Sequence, residues 1–239
     1  MAATVQTIVK PTRARGLDTS GNKNHAQLYS GRALEFDGVT DYLTTGYDWA
    51  DDSITVCVWA KHFEDSGSKT IFDTRQANDS GMALRFSTTE KLDFFIDTSD
   101  INYNDYTFTN RWVRICAVYD KLNQKQTLYI NGVKVAEKTS VDMSAIPDSA
   151  TTNGCTIGAR SITAHQNYYN GYLSDLQAWN VPFSADDALY DYLNPEQLAL
   201  NRGGTSLTNS NLKLWYPMNE GHRGNQSYVL DASNTGVGD

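Results

Sequence analysis

Apolar and polar residues alternate with period two from about residue 33 to 180, in runs bounded by turn residues. Successive strand side chains point to opposite faces, so this pattern predicts half-buried strands in a sandwich. The plainest run is SITVCVWAK: Ile54, Val56, Val58 and Ala60 share one face, and Thr55, Cys57, Trp59 and Lys61 the other. GMALRFS and KLDFFID follow, joined by a short polar link at 88–90 of the kind a hairpin uses. RWVRICAVYD leads through a polar turn into QTLYINGVKVAEK. There Asn131-Gly132, between two alternating segments, is the strongest hairpin signal in the chain. CTIGAR and GYLSDLQAWN complete the set.

The strand pattern stops at VPFSADDALYDYLNPEQLALN. Ser184 is a good N-cap, with Asp186 and Asp187 in the first turn where the helix dipole favours negative charge. Leu189, Tyr192 and Leu193 give an i, i+3, i+4 stripe, and Pro195 is expected to end this helix and open a second short one towards Asn201. A Gly/Ser/Thr/Asn loop, one more strand (NLKLWYPMN) and a polar tail close the chain. GLDTSGN near the start is echoed by YVLDASNTG near the end. The late strand therefore either fills the slot of an opening strand or begins a further module; the first alternative avoids an unpaired apolar strand. The expected fold is all-β, a two-sheet antiparallel jelly-roll sandwich with short C-terminal helices. Its expected organisation is an N-terminal basic arm (1–15), the sandwich (16–200), and a loop, returning strand and tail (201–239).

Composition narrows the function classes. The net charge of -8 repels phosphate backbones, which argues against nucleic-acid binding. The exception is the first fifteen residues, with Lys10, Arg13 and Arg15 and no acid, which suit either docking on an acidic neighbour or a solvated terminus. No run approaches the roughly 18 apolar residues of a membrane span, and MAATVQTIVKPTRARG lacks the apolar stretch of a secretory signal. A soluble protein, exported if at all by another route, is expected. Cys57, Cys116 and Cys155 have no metal-ligand spacing. The first two lie in mid-strand, where a free Cys acts as a small hydrophobe, as in a reducing compartment; a Cys57–Cys116 bridge is the alternative.

LDTSGNKNHAQLYSGRALEFDGVTDYL resembles the opening of laminin-G-like domains of the concanavalin A-like lectin/glucanase superfamily. SITVCVWAK, RWVRICAVYD, LYINGVKV, CTIGAR and NGYLSDLQAWNVPFSADD resemble its later strands in order, so the likeness spans roughly 16 to 193. KPTRAR, YLNPE, LKLWYPMNEGHRG and YVLDASNTG further resemble structural proteins of marine bacteriophages, including cyanophages. Such chains commonly continue past this tail, which implies a short member or a fragment. The resemblance implies a virion component (a capsid decoration protein, head fibre or tail appendage) made in the host bacterial cytoplasm. Other capsid or tail proteins and further copies of the chain are its implied partners.

Candidate sites are of two kinds. Asp18, Asn22 and Asn24 sit on a Gly-containing loop, Asp37 precedes a turn, and Asp175 stands in an otherwise apolar strand. Hard cations take such oxygen ligands, and calcium-binding relatives use an acid of this opening and one of the closing strand, so Ca2+ is the cofactor implied. The alternative is that these side chains make Asx turns and hydrogen-bond loop amides. An acid in a buried strand must in either case be paired or ligated. The second kind is aromatic: Tyr103 and Tyr106 in INYNDYTF, and His165, Tyr168 and Tyr169 in AHQNYYNG. Ring faces beside amide and carboxylate groups suit surface glycans, a subunit contact, or simple packing on the sandwich rim.

Glucanases of this superfamily arrange E-x-D-x-x-E on one strand; here Glu35 and Asp37 are followed by Thr40 where the second glutamate falls. GxSxG, HExxH and P-loop patterns do not occur, and the four histidines are scattered. The expectation is a non-enzymatic phage structural protein with a lectin-like jelly roll. The alternatives are a carbohydrate-binding module of a larger surface or secreted protein, and, behind both, a glycan hydrolase.

Overall fold

The computed structural model describes residues 33–47, 49, 52–63, 66–75, 81–88, 90–141, 154–160, 165–200, 205–218 and 231–233, with the backbone of strands at 5–6, 15–16 and 26–27. Two antiparallel sheets face each other. The long sheet runs β1 (Val5–Gln6), β4 (Ala33–Asp37), β15 (Asn170–Trp179), β6 (Ile54–His62), β11 (Trp112–Asp120), β12 (Lys125–Ile130) and β13 (Val133–Thr139). The short sheet runs β10 (Ser99–Tyr103), β9 (Lys91–Ile96), β8 (Met82–Thr88), β7 (Lys69–Asp73), β14 (Thr156–Ile157) and β5 (Leu43–Thr44). A separate pair joins β2 (Arg15–Gly16) to β3 (Ala26–Gln27). The late strand β16 (Leu212–Tyr216) pairs with the second half of β15, while β4 pairs with the first half, so the two share one edge of β15 end to end.

The expected alternation decides what lies between the sheets. Ile54, Val56, Val58 and Ala60 are fully buried and pack in one core with Leu84, Phe86 and Phe94 of the short sheet. Each large apolar side chain removed from water there contributes about 1.5–3 kcal/mol. The opposite face of the long sheet is also covered. Cys57, Val118, Trp179 and Trp215 form a second core with Ala188 of α1 (Ala185–Leu193) and Leu198. A sheet covered on both faces explains why Thr55 and Cys57, on the second face of β6, are buried as fully as Ile54 and Val56.

Ser184 caps α1 in a full capping box: its hydroxyl accepts from the Asp187 amide, and the Asp187 carboxylate accepts from the Ser184 amide. The expected stripe is corrected. Leu189 and Leu193 are exposed, and α1 instead buries Ala188 and Asp191. The small Ala188 allows close approach, and Asp191 docks by charge on Arg114 of β11. Residues 195–200 form hydrogen-bonded turns, with Leu200 donating to the Glu196 carbonyl, rather than a second helix.

Two further corrections follow from register. Cys57 and Cys116 stand directly opposite on β6 and β11, Cα atoms 4.2 Å apart, and form a disulfide. The free-thiol reading fails because the same alternation puts both on one face of adjacent strands. Cys155 is the free, buried cysteine; burial pushes its thiol up to about 12 against the hydrogen bond with Thr45. Residues 99–103, not among the expected strands, form the edge strand β10, paired with β9 through a turn in which Asp97 takes a φ of 52°. The Asn131-Gly132 turn has φ of 51° and 77°, the doubly left-handed geometry that joins twisted strands tightly.

Candidate functional site at one end of the sandwich

Pairing of Asp37 with Asn170 and of Gly171 with His62 brings the ends of β4 and β6 to the start of β15. The 38–42 turn and the 165–169 segment therefore meet at one end of the sandwich. The ring of Tyr42 lies 4.1 Å from that of His165 and 6.2 Å from that of Tyr168. His165 Nδ1 is 3.0 Å from the Arg160 carbonyl, which fixes the ring's orientation. Tyr42 keeps 39% of its surface exposed and Val39, on the same turn, 67%. His165 and Tyr168, both named by the sequence, thus belong to a partly open aromatic cluster. Tyr42 and Val39 were missed; the signal was the FDG turn, which throws the next residues outwards.

The other aromatic candidates divide differently. Tyr169 is fully buried, set edge-on to Phe36 at 6.0 Å, and burial raises its hydroxyl pKa well above the ordinary tyrosine value. It is a core residue, which corrects its assignment to a ligand surface. Extended neighbours point to opposite sides, so only one tyrosine of the pair Tyr168-Tyr169 faces outwards. Tyr103 and Tyr106 both pack against buried Phe108, at 6.4 and 5.0 Å. Tyr106 Oη also accepts from Asn131 Nδ2. Glu90 secures the same loop, accepting from the Phe108 amide at 2.6 Å and the Thr109 hydroxyl at 2.7 Å. Strands β9, β8, β7 and β14 separate Tyr103 from the Tyr42 cluster, so the five named aromatics do not form one surface.

Asp37 organises its own turn. Its Oδ1 accepts from the amides of Val39, Thr40 and Asp41, and its Oδ2 from the Thr40 hydroxyl. Burial alone would raise its pKa, but the bonds from Thr40, Val39 and Asp41 prevail and lower it to about 2. Asp41 is raised by burial and by the charge of Asp37.

Asp175 stands elsewhere, in a bulge of β15 at a φ of 48°. Its Oδ1 accepts from Trp215 Nε1 at 2.8 Å and Gln177 Nε2 at 3.0 Å, and its Oδ2 lies 3.2 Å from Arg114 Nη1. Arg114, 1% exposed, also binds Asp191 through Nε at 2.6 Å and Nη2 at 2.9 Å. Burial opposes the charge on Arg114, but Asp191 and Asp175 outweigh it and raise its pKa. Asp175 is thus an ion-pair partner under α1. Asp37 faces its own turn, whereas Asp175, five residues along β15 from the Asn170 that pairs with Asp37, faces the guanidinium of Arg114 on β11. Asp18, Asn22 and Asn24 lie outside the described residues. Among the described residues, the one grouping of metal-ligand type is Cys57, Cys116 and Asp191, whose two sulfurs are bonded to each other. No helix among them is long and apolar enough to cross a membrane.

Comparison with known proteins places this geometry. A laminin G-type family model, described as concanavalin A-like lectin/glucanases superfamily, matches residues 37–188. Search of curated proteins by sequence found no match. A presumed carbohydrate binding protein of Bacteroides ovatus superposes with a TM-score of 0.62 at 18% identity, over 91% of this chain and 61% of that one. This chain therefore spans less than two thirds of that protein's length. The heptameric SAP-like pentraxin of Limulus polyphemus aligns with a TM-score of 0.52 at 18% identity, over 67% of this chain and 81% of that one. The CBM40 domain of a Ruminococcus gnavus IT-sialidase aligns with a TM-score of 0.52 at 11% identity, over 66% of this chain and 96% of that one. At such identities the likeness is one of fold.

Proposed function

Because the chain belongs to the concanavalin A-like lectin/glucanases superfamily, we propose that it is a non-catalytic carbohydrate-binding domain with its ligand surface at the Tyr42 end of the sandwich. The observation that carries this reading is the half-open cluster of Tyr42, His165 and Tyr168. Aromatic faces take the C–H faces of sugar rings, while the amides and hydroxyls of the neighbouring turns suit sugar hydroxyls. The carbohydrate-binding neighbours in fold space support the same reading. Catalysis is disfavoured by the carboxylates. Asp37 is held ionised by its own turn, and the one raised carboxyl beside it, Asp41, is bound into that same turn by backbone hydrogen bonds to and from Asp37.

The test is a glycan array probed with the whole protein and with Tyr42→Ala. Retention on a defined set of glycans, weakened roughly five- to tenfold by the substitution, is expected for the loss of about 1–1.5 kcal/mol of ring contact. Absence of retention on any glycan would overturn the reading.

A refinement follows from the resemblance of KPTRAR and LKLWYPMNEGHRG to phage structural proteins. We propose that the domain is displayed on a virion, where glycan binding would serve contact with a host surface. Mass spectrometry of purified phage particles would detect the chain in stoichiometric amounts. Its absence from particles would leave the module of a larger surface or secreted protein.

A further inference from the structure

The outer face of the short sheet carries a row of polar side chains brought together by register. Thr70 of β7 is opposite Arg85 of β8, and Arg85 is opposite Asp93 of β9. Cross-strand partners share a face, and here it is the face turned away from Phe86 and Phe94. Thr70 and Asp93 are buried, at 0% and 2% exposure, while the Arg85 side chain keeps 22% of its surface open. The Thr70 hydroxyl and Arg85 Nε are buried atoms that make no hydrogen bond. Asp93 Oδ1 accepts none either, with Lys91 Nζ standing 3.3 Å away. Buried polar atoms are almost always hydrogen-bonded, so three such atoms in one row need an explanation.

The surroundings of Arg85 indicate the chemistry of the missing partner. Its guanidinium lies 4.5 Å from the centroid of the Phe95 ring, and the Asp93 carboxylate is 3.7 Å from Nε, beyond hydrogen-bond reach. Arg75, held by Asp73, approaches the same ring at 5.6 Å. Burial, and then the charge of Arg75, lower the Arg85 pKa, with Arg160 adding to the repulsion and Asp93 and Asp73 opposing it. Four cations (Arg75, Arg85, Arg160 and Lys91) thus stand near three carboxylates (Asp73, Asp93 and, one row along, Asp100) on a protein of net charge -8. Backbone bonds link this face to the segment of the aromatic cluster: the Thr70 amide donates to the Asn167 carbonyl, the Arg160 amide to the Gln166 carbonyl, and the Arg160 carbonyl meets the His165 ring.

We propose that the Thr70–Arg85–Asp93 row is a subsite for an acidic sugar, with Arg85 receiving its carboxylate, Thr70 its hydroxyl or ring oxygen, and Asp93 a hydroxyl proton. The guanidinium edge matches a planar carboxylate, and Asp93 rejects a more highly charged group such as phosphate or sulfate. The proposal rests on the carbohydrate-binding reading and adds the ligand class.

The experiment is isothermal titration of the whole protein with 3′-sialyllactose, trigalacturonate, lactose and inorganic sulfate, repeated with Arg85→Gln and Thr70→Val. One of the two acidic sugars is expected to bind at least tenfold more tightly than lactose, identifying a sialic or a uronic acid as its source. Arg85→Gln should remove that preference, a loss on the order of ten- to hundredfold for a charged hydrogen bond. Thr70→Val should also weaken acidic-sugar binding, yet keep or raise the unfolding temperature, because it replaces an unpaired buried hydroxyl with a methyl group of like shape. A thermal loss of several degrees in Thr70→Val would show an internal partner and overturn the subsite. Equal affinity for lactose and both acids, indifferent to Arg85→Gln, would overturn the acidic ligand while sparing carbohydrate binding. Tightest binding of sulfate would reassign the row to a simple anion site. Silence of all four probes, with array binding retained elsewhere, would also refute the subsite.

Discussion

Asp175→Ala separates a metal ligand from an ion-pair partner. In the folded protein Asp175 Oδ1 accepts from both Trp215 Nε1 and Gln177 Nε2, and its Oδ2 faces Arg114. Truncation to alanine strands two buried donors, at about 1–3 kcal/mol each. It also puts a Cβ-only residue at a φ of 48°, about 1 kcal/mol more. Arg114 keeps its bidentate hold on Asp191, so its charge is not abandoned. The expected loss is therefore about 4 kcal/mol, or roughly 8–16 °C in melting temperature for a chain of this size. Asp175→Asn keeps an acceptor for Trp215 and Gln177 and tolerates the left-handed conformation, and should lose clearly less than Asp175→Ala. Asp105→Ala, on a surface bend, should change stability by less than about 0.5 kcal/mol. Urea unfolding of the three variants, in calcium and again in chelator, gives the comparison. The order Asp175→Ala, Asp175→Asn, Asp105→Ala should hold in both buffers. Equal, small losses would remove Asp175 from any structural role, and a loss seen only in calcium would restore it as a metal ligand.

Two further outcomes are expected. Asp37, with its folded pKa lowered to about 2, contributes order to the 38–42 turn fully above the unfolded carboxylate range near 3.9; that contribution fades as pH falls through about 2. NMR titration should find the Val39 and Thr40 amide signals steady at pH 4 and shifting near pH 2, whereas a midpoint near 4 would contradict the turn geometry. Replacing both Cys57 and Cys116 with alanine removes a cross-link closing 59 residues, and the loop-entropy estimate gives about 4 kcal/mol. Denaturant unfolding reads that loss directly; unchanged stability would mean that the bridge does not form in solution.

The sandwich was legible wherever one residue in two is apolar and a turn residue follows. β6, β8, β9, β11, β12 and β15 all satisfy that rule, and Asn131-Gly132 supplied its own backbone signature. β10 was not legible because SDINY is a polar edge strand whose pairing, not its composition, makes it a strand. The helix was found from its cap but oriented wrongly, since a buried carboxylate rather than leucine faces the sheet. The sequence did show that Asp175 must have a partner. It could not show Arg114, which looks like any outward residue of β11, or Asp191, 77 residues further along. The Thr70–Arg85–Asp93 row was invisible for the same reason: its members come from three strands, and only register makes them neighbours.

The two buried polar groupings differ in a way that bears on function. Around Arg114, Asp191 fills two donor positions, the Asp175 backbone carbonyl and carboxylate meet the third nitrogen, and Trp215 and Gln177 complete the acceptor side. That network ties α1, β11, β15 and β16 together: each Arg114 nitrogen has an acceptor, and Asp175 Oδ2, which accepts no hydrogen bond, faces the guanidinium at 3.2 Å. In the Thr70–Arg85–Asp93 row the same kinds of groups are buried with atoms left unbonded, beneath a guanidinium that reaches solvent. An unsaturated network weakens the fold, so selection for stability alone would replace it with apolar residues, as Thr70→Val would do. On the proposed subsite, a bound ligand would complete these polar groups beside the aromatic cluster.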